Sequence, residues 1–492
     1  MKKIFNLFIR FFHKYWLVLL SVTIANLFYI IFSIVYYEVG FPLDDSWIHQ
    51  TYARNLFQYN DWYFIPGIKS AGSTAPLWTL FLVPGHIFGN NFYFLWTFVI
   101  SGILLISTGV ISQEIFNYLT SKAHSIPWIG ILISLEWHLV WSANSGMETI
   151  LYILLILLFF MFLLKFNNNF WIAGLIIGLI IFVRPDGLTL IGPLLLVSTY
   201  KLIFQKDKSI NIIFSLIIIS IFIFFYTAFN IRLSGDPLPN TFFAKQAEYE
   251  ILFSLPFITR FLNLLIIPIT GVGLLLVPGF IYYFYDRAKS GDIKLISIYF
   301  WIIGYIVLYA VRLPVTYQHG RYIIPILPIF LILSSFGMIK LLNFKFFFKK
   351  NILLAYKILT VSILIIFFYL GGKAYALDVA IIQTEMVETA QWIDDNLEKG
   401  SIIAAHDIGA LGFFSTQKII DLAGLISPEV IPFIRDEIEI ENYLNNNQTD
   451  YLVVFPGWYE NLDDGKKQIF STNGKFSQMA GGENMVIYIW GD

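Results

Sequence analysis

WLVLLSVTIANLFYIIFSIVYYEVGFPLDDSWIHQTYARNL, residues 16–56, passes from an uncharged apolar run into a polar, aromatic loop with two adjacent aspartates. The run over residues 16–37 is long enough to cross a bilayer core, which takes about 20 apolar residues. Lys2, Lys3, Arg10 and Lys14 precede it, so the positive-inside rule puts that flank in the cytoplasm and the aspartates outside. No small-residue cleavage signature follows, and the helix is read as retained. Further apolar runs over residues 91–117, 126–141, 149–164, 170–183, 187–200, 210–230, 257–285, 295–311, 322–339 and 352–370 bring the expected crossings to about eleven.

Composition agrees. Of the 492 residues 57% are hydrophobic and only 13% charged, where a soluble domain carries about a quarter, so the bilayer is the main solvent. A balance of 32 basic against 33 acidic residues lacks the surplus that nucleic-acid binding needs. The absence of cysteine excludes disulfides, zinc-thiolate sites and thiol chemistry. No HExxH, P-loop, GxGxxG or GxSxG pattern occurs, which removes metalloprotease, nucleotide-hydrolase and serine-hydrolase readings.

The apolar segment over residues 76–88 sets the side of everything after it. Thirteen residues reach about 20 Å as a helix, too short to cross. Read as a re-entrant or juxtamembrane helix, it leaves Lys122, Lys165, Lys201, Lys206, Lys208, Arg287, Lys289, Lys294, Lys340, Lys345, Lys349 and Lys350 on the cytoplasmic side. The loops 40–75, 142–148, 184–186, 232–260 and 312–321 then share the outer face, each with charges beside Gly or Pro.

Residues 373–492 change character. An amphipathic helical pattern over 385–397 precedes β-like runs at 401–405, 418–421, 451–455 and 485–490, which predicts a small extracytoplasmic α/β domain after a multispanning domain over 1–372.

The outer charges hold the chemistry. Asp44 and Asp45 must be solvated, protonated or counterbalanced, and suit a general base beside a divalent-cation ligand or, alternatively, the N-cap of a helix over 46–56. Glu148, in SGMET, reads either as a first-turn acid on the helix dipole or as a second active-site carboxylate. Arg184 and Asp186, in RPDG, either neutralise each other or serve a site, and charges near a membrane are costly enough to favour the second. Lys245 of DPLPNTFFAK, with His319 and Arg321 of RLPVTYQHGR, suits a phosphate, against interfacial snorkelling of each cation alone. Trp47, Tyr52, Trp62, Tyr63 and Trp78 can stack on sugars, but an interfacial belt is the simpler reading. In the tail, Asp421 reads as a turn residue, whereas Asp407 of HDIGALG fits a ligand position or a turn equally.

Taken in order, DDSWIHQTYARNL, GSTAPLW, SGMET, RPDG, PLPNTFFAK, HGRY, HDIGALG and IDLAGL resemble the GT-C superfamily of polyprenyl-phosphate-dependent glycosyltransferases over nearly the whole chain. The closest likeness is to the bacterial terminal arabinofuranosyltransferase branch, and a more distant one is to protein mannosyltransferases and aminoarabinose transferases. The resemblance implies an α-helical polytopic enzyme of the inner membrane, N-terminus cytoplasmic and C-terminal domain extracytoplasmic, whose first outer loop, residues 38–75, is catalytic. It implies sugar transfer from a polyprenyl-phosphate donor to a glycan, lipid or protein acceptor with inversion, and a possible divalent cation (Mg, Mn or Ca) at Asp44 and Asp45. By position, Asp44 or Asp45 is the base, Glu148 and Asp186 are acceptor or metal candidates, and Lys245, His319, Arg321 and Arg184 meet the donor phosphate. Trp47, His49 and Gln50 depart from the family's usual residues and leave the acceptor open. The rival classes are a transporter or flippase of lipid-linked sugars, disfavoured by the lack of an internal repeat, and a glycan polymerase or ligase.

Overall fold

Each of the expected apolar runs is helical in the computed structural model, which describes residues 2–89, 91–165, 170–205, 211–342 and 350–491. Lys206, Lys208, Lys345 and Lys349 of the basic set lie outside the described residues. By length and apolarity, seven described helices can cross a membrane, and an eighth crossing is added if Phe257–Ile269 and Val272–Ser290, bent by 105°, form one span. Three of the expected eleven are shorter than a full span. Thr149–Lys165 and Phe170–Ile181 are single short helices, and the run at 126–141 splits into Trp128–Leu135 and Trp137–Asn144. Glu136 makes that split: its backbone is extended (φ −68°, ψ 121°) and its carboxylate accepts from the Leu139 amide, capping the second piece.

Lipid explains the outward faces of this bundle. Phe224, Phe225 and Ile365 are exposed, as is much of Ile212–Ser234, where water would oppose so much apolar surface. Inside, small residues let backbones meet. A Cβ on Gly279 would stand 2.3 Å from the Ser334 carbonyl oxygen, and one on Gly337 would stand 2.0 Å from that of Gly279. Helices Val272–Ser290 and Leu327–Leu342 therefore pack at a distance that alanine would forbid.

The two ends of the bundle differ in charge. At one end Glu114 pairs with Lys14 (2.8 Å) and Lys165 (3.6 Å), Asp286 pairs with Arg287 and Lys340, and Lys294 donates to the Leu164 carbonyl. Helices Thr149–Lys165 and Ile293–Arg312, whose basic ends lie there, place Glu148 and Arg312 at the opposite end. Pro76–Leu82 and the 3₁₀ turn Val83–His86 lie at that second end and are too short to cross, as expected of a re-entrant or juxtamembrane element.

The second end is capped by two further units. The loop helix Asp44–Tyr59 is followed by the short hairpin β1 (Tyr63–Ile65) and β2 (Ile68–Lys69). Helix Lys350–Ile381 runs without interruption past residue 372 and continues through a π-helical turn, Ile382–Val387, into Glu388–Asn396. Beyond it stands a five-stranded sheet of β3 (Ile402–Ala405), β4 (Lys418–Asp421), β5 (Tyr451–Val454), β6 (Lys467–Ser471) and β7 (Val486–Ile489), in the order β4-β3-β5-β7-β6. β3 runs parallel to β4 and β5, and the β5, β7, β6 side is antiparallel. Alternate residues bury opposite faces: Ile403, Ala405 and Val453 pack toward the loop helix, and Ala404, Leu452 and Val454 pack toward helix Glu437–Asn446.

The aromatic loop residues correct the belt expectation. Trp47, Tyr52 and Trp78 are fully buried and Trp62 nearly so. Trp47 packs against Phe41, Phe94 and Phe414, whose rings lie 4.7–5.6 Å from its own, so these aromatics join loop, bundle and tail rather than lying in the lipid interface.

Candidate functional site

The loops at the capped end converge on a cavity of about 540 Å³. Its wall holds Asp45 and His49 from the loop helix, Glu148 from the SGMET turn, Arg184 and Asp186 from the RPDG break, Lys245 from helix Asn240–Glu248, and Arg312, Arg321 and Tyr322. Leu425, from the tail's IDLAGL turn, closes part of the roof. Residues far apart in sequence are fixed there by ordinary hydrogen bonds. Ser46 donates to the Ser145 carbonyl, Trp78 Nε1 to Gly146 O (2.9 Å), and Gly72 N to the Tyr52 hydroxyl (3.0 Å).

The two aspartates part company. Neither caps its own helix, and the residue at that cap is Leu43, without a side-chain bond. Asp44 turns away from the cavity and accepts from the amides of Gly409 (2.6 Å) and Ala410 (2.8 Å), where helix Gly409–Phe414 begins in the tail. Burial and the carboxylates of Asp407 and Asp45 push Asp44 up, to about 8, against the pull of the two amides. A Cβ at position 409 would stand 2.1 Å from the Asp44 carbonyl oxygen, so only glycine admits this contact. Arg54 reinforces it by donating to the carbonyls of Gly412 and Phe413. Asp44 is therefore a clamp between loop and tail.

Asp45 lines the cavity. One oxygen meets both Arg321 (2.5 Å) and Lys245 (3.4 Å), and Lys245 and Arg321 each donate to the Tyr322 hydroxyl (3.0 Å). Burial opposes ionisation, but Lys245 and Arg321 hold the Asp45 carboxyl well below its usual range, and Asp45 in turn keeps the Lys245 ammonium charged. One nitrogen of Arg321, Nη1, is buried with no partner. Arg321 lines the cavity beside Lys245, so the two cations together are placed to meet an anion there.

Glu148 and Asp186 face the same space through Arg184. Arg184 reaches Asp186 (3.0 Å), the Tyr309 hydroxyl (3.1 Å) and Glu148 (3.7 Å), so mutual neutralisation and cavity lining both hold. Glu148 also faces His49 Nε2 at 3.4 Å, while His49 Nδ1 meets the Ser73 hydroxyl at 3.1 Å. Burial raises the cost of its charge, yet His49 and Arg184 bring the Glu148 carboxyl down to about 2. The lining cations Arg184, Lys245, Arg312 and Arg321 outnumber the carboxylates Asp45, Glu148 and Asp186 by one.

His319 stands apart. Its Nε2 meets Asp378 at 2.7 Å beside Trp137 and Trp141, and it does not line the cavity, because residues 318–320 all take positive φ and turn the ring away. A cation at the aspartate pair does not fit either. Asp44 is committed to amides and Asp45 to two cations, and among the described residues no group of three or more His, Asp or Glu is placed to hold a metal. His49 and Tyr322 belong to the cavity although the motifs gave them no role; their signal was adjacency, His49 one helical turn after Asp45 and Tyr322 next to Arg321. In the tail, Asp421 accepts from the amides of Ala423 and Ile426, a turn role as expected. Burial, with Asp45 and Glu248 near, pushes Asp407 up to about 6.

No curated protein matches the chain in sequence. A family model described as Domain of unknown function (DUF8728) matches residues 378–488, the tail. In structure the chain is similar to ArnT from Cupriavidus metallidurans bound to undecaprenyl phosphate, with a TM-score of 0.57, 12% identity, and 96% of this chain and 98% of that one covered. The apo state of the same protein gives 0.58, 14%, 96% and 97%. The archaeal oligosaccharyltransferase AglB from Archaeoglobus fulgidus, in complex with an inhibitory peptide and a dolichol-phosphate, gives 0.53, 12%, 90% and 70%. These neighbours do not single out the arabinofuranosyltransferase branch. Together they show that the bundle and its capping tail share the fold of these solved structures.

Proposed function

We propose that this chain is a membrane glycosyltransferase that moves a sugar from a polyprenyl phosphate to an acceptor hydroxyl in the cavity at the capped end of the bundle. The observation that carries the reading is the pair Arg321 and Lys245, set together on Asp45 in a cavity with more cations than carboxylates. The structural neighbours add to it, since ArnT is bound to undecaprenyl phosphate and AglB to a dolichol-phosphate. The basic residues at the other end of the bundle favour a cytoplasmic N-terminus and, with it, a cavity and tail on the outer side.

The same geometry supplies a sequence of events. The donor phosphate takes hydrogen bonds from Arg321 and Lys245, which stabilise the charge that grows as the bond from the anomeric carbon to phosphate oxygen breaks. Asp45, released from those cations, regains proton affinity. As the acceptor oxygen attacks the anomeric carbon from the opposite side, Asp45 takes the hydroxyl proton, and the polyprenyl phosphate leaves with the bonding pair. Inversion follows from that single displacement. The base is thus competent only when a phosphate occupies its counterions, which limits futile chemistry in the empty site.

The test is transfer by the purified full chain, presented with polyprenyl-phosphate pentoses and hexoses and, separately, with nucleotide sugars. Transfer or donor hydrolysis from at least one lipid-phosphate sugar, and from no nucleotide sugar, is expected. Turnover of nucleotide sugars alone would refute the reading.

A further inference from the structure

The tail sheet has a topological switch point. From β3 the chain crosses to β4 on one side, and from β5 it passes to the antiparallel β6 and β7 on the other, so the connections leaving adjacent β3 and β5 diverge. Beyond the carboxyl ends of such strands an open α/β sheet leaves a crevice where ligands bind. Here a cleft of about 820 Å³ occupies that place. His406, directly after β3, and Trp458, in the turn after β5, form its flanks.

Its walls are built rather than incidental. Trp458 is 45% exposed, and the His406 ring stands edge-on to it at 4.2 Å and 88°. His406 is in turn fixed by the Tyr459 hydroxyl at Nδ1 (3.3 Å) and by Glu248 at Nε2 (3.7 Å). Glu437 accepts from the amides of Glu460 (2.6 Å) and Asn461 (2.8 Å), which anchors the loop that carries Trp458. Glu248, Asp436, Glu437 and Glu460 outnumber Arg435 and His406, and Arg435 is already turned onto the Glu248 carbonyl.

An exposed indole beside carboxylates and carbonyls matches a sugar, whose C–H face stacks on the ring while its hydroxyls donate to the acids. The acidic balance repels uronic or phosphorylated chains. The cleft also adjoins the cavity. Helix Asn240–Glu248 gives Lys245 to one and Glu248 to the other, and Tyr249 of the cleft stacks on Tyr317 (5.3 Å), which meets Tyr322 of the cavity. We propose that the cleft holds the acceptor of the transfer as a saccharide chain free of acidic groups, an inference that rests on the glycosyltransferase reading.

Calorimetric titration of the purified full chain tests this with maltotriose, chitotriose, mannotriose and arabinotriose, with trigalacturonic acid as the anionic counterpart and undecaprenyl phosphate as the cavity probe. At least one neutral trisaccharide is expected to bind, at least tenfold more weakly to Trp458→Ala and nearly as well to Trp458→Phe, with undecaprenyl phosphate binding unchanged in both. No neutral trisaccharide binding, unaltered binding by Trp458→Ala, or preference for trigalacturonic acid would overturn the cleft and leave the cavity's reading standing. Failure of the unmutated chain to bind undecaprenyl phosphate would instead count against that reading.

Discussion

Asp45→Asn is expected to lower sugar transfer by about 10²–10⁴-fold, the span of a lost general base, while donor binding is retained or tightened. The sign of the binding change is the informative part. Asp45 occupies Arg321 and Lys245 in the empty site, so removing its charge frees both cations for phosphate. Asp44→Asn separates from it. An amide nitrogen in place of a carboxyl oxygen would face the Gly409 or Ala410 N–H and leave that buried donor unsatisfied, which costs about 1–3 kcal/mol. That variant is expected to melt earlier and to expose the tail to protease, with transfer reduced only as far as docking is. Wild-type transfer rates in folded Asp45→Asn protein would remove Asp45 as the base.

Arg321→Ala is expected to weaken undecaprenyl phosphate binding by roughly 10- to 100-fold, because a hydrogen bond to a charged group is worth about 1.5–3 kcal/mol and each tenfold in affinity about 1.4. Arg321→Lys should fall between, keeping the charge but losing the planar fork and the partnerless Nη1 donor. Lys245→Met should add to the loss less than independently, since both cations share Asp45 and Tyr322. Equal affinity in Arg321→Ala and unmutated protein would remove the phosphate role.

Local signals carried much of the architecture. Apolar runs located the helical stretches of the bundle but not the breaks inside the runs at 126–141 and 257–285, and the short run at 76–88 told its own length. Four of the five tail strands were legible from compact apolar stretches. β6, KQIFS, was not, because an edge strand with three polar residues and a bulge opposite β7 lacks the alternation that marks a strand. The run at 126–141 was counted as a full crossing because hydropathy alone does not reveal that Glu136 caps a second piece.

At the site, Asp45, Glu148, Arg184, Asp186, Lys245 and Arg321 were named from charge and motif order and do meet in one cavity. What the sequence hid was long-range. The partner of Asp44 lies 365 residues away, so clamp and base look alike in a DD pair. Trp47 and Tyr52 read as a lipid-interface belt because nothing local announces a tail domain that buries them. His319 was grouped with the phosphate cations because it shares the RLPVTYQHGR motif with Arg321, whereas the positive φ of Gln318, His319 and Gly320 sends its ring elsewhere.

The most direct measurement is an experimental structure of the full chain with undecaprenyl phosphate. The phosphate is predicted to lie within hydrogen-bond reach of Arg321 and Lys245, with the Asp45 carboxylate released toward the open cavity. A phosphate seated elsewhere, with Asp45 still paired to both cations, would contradict the account.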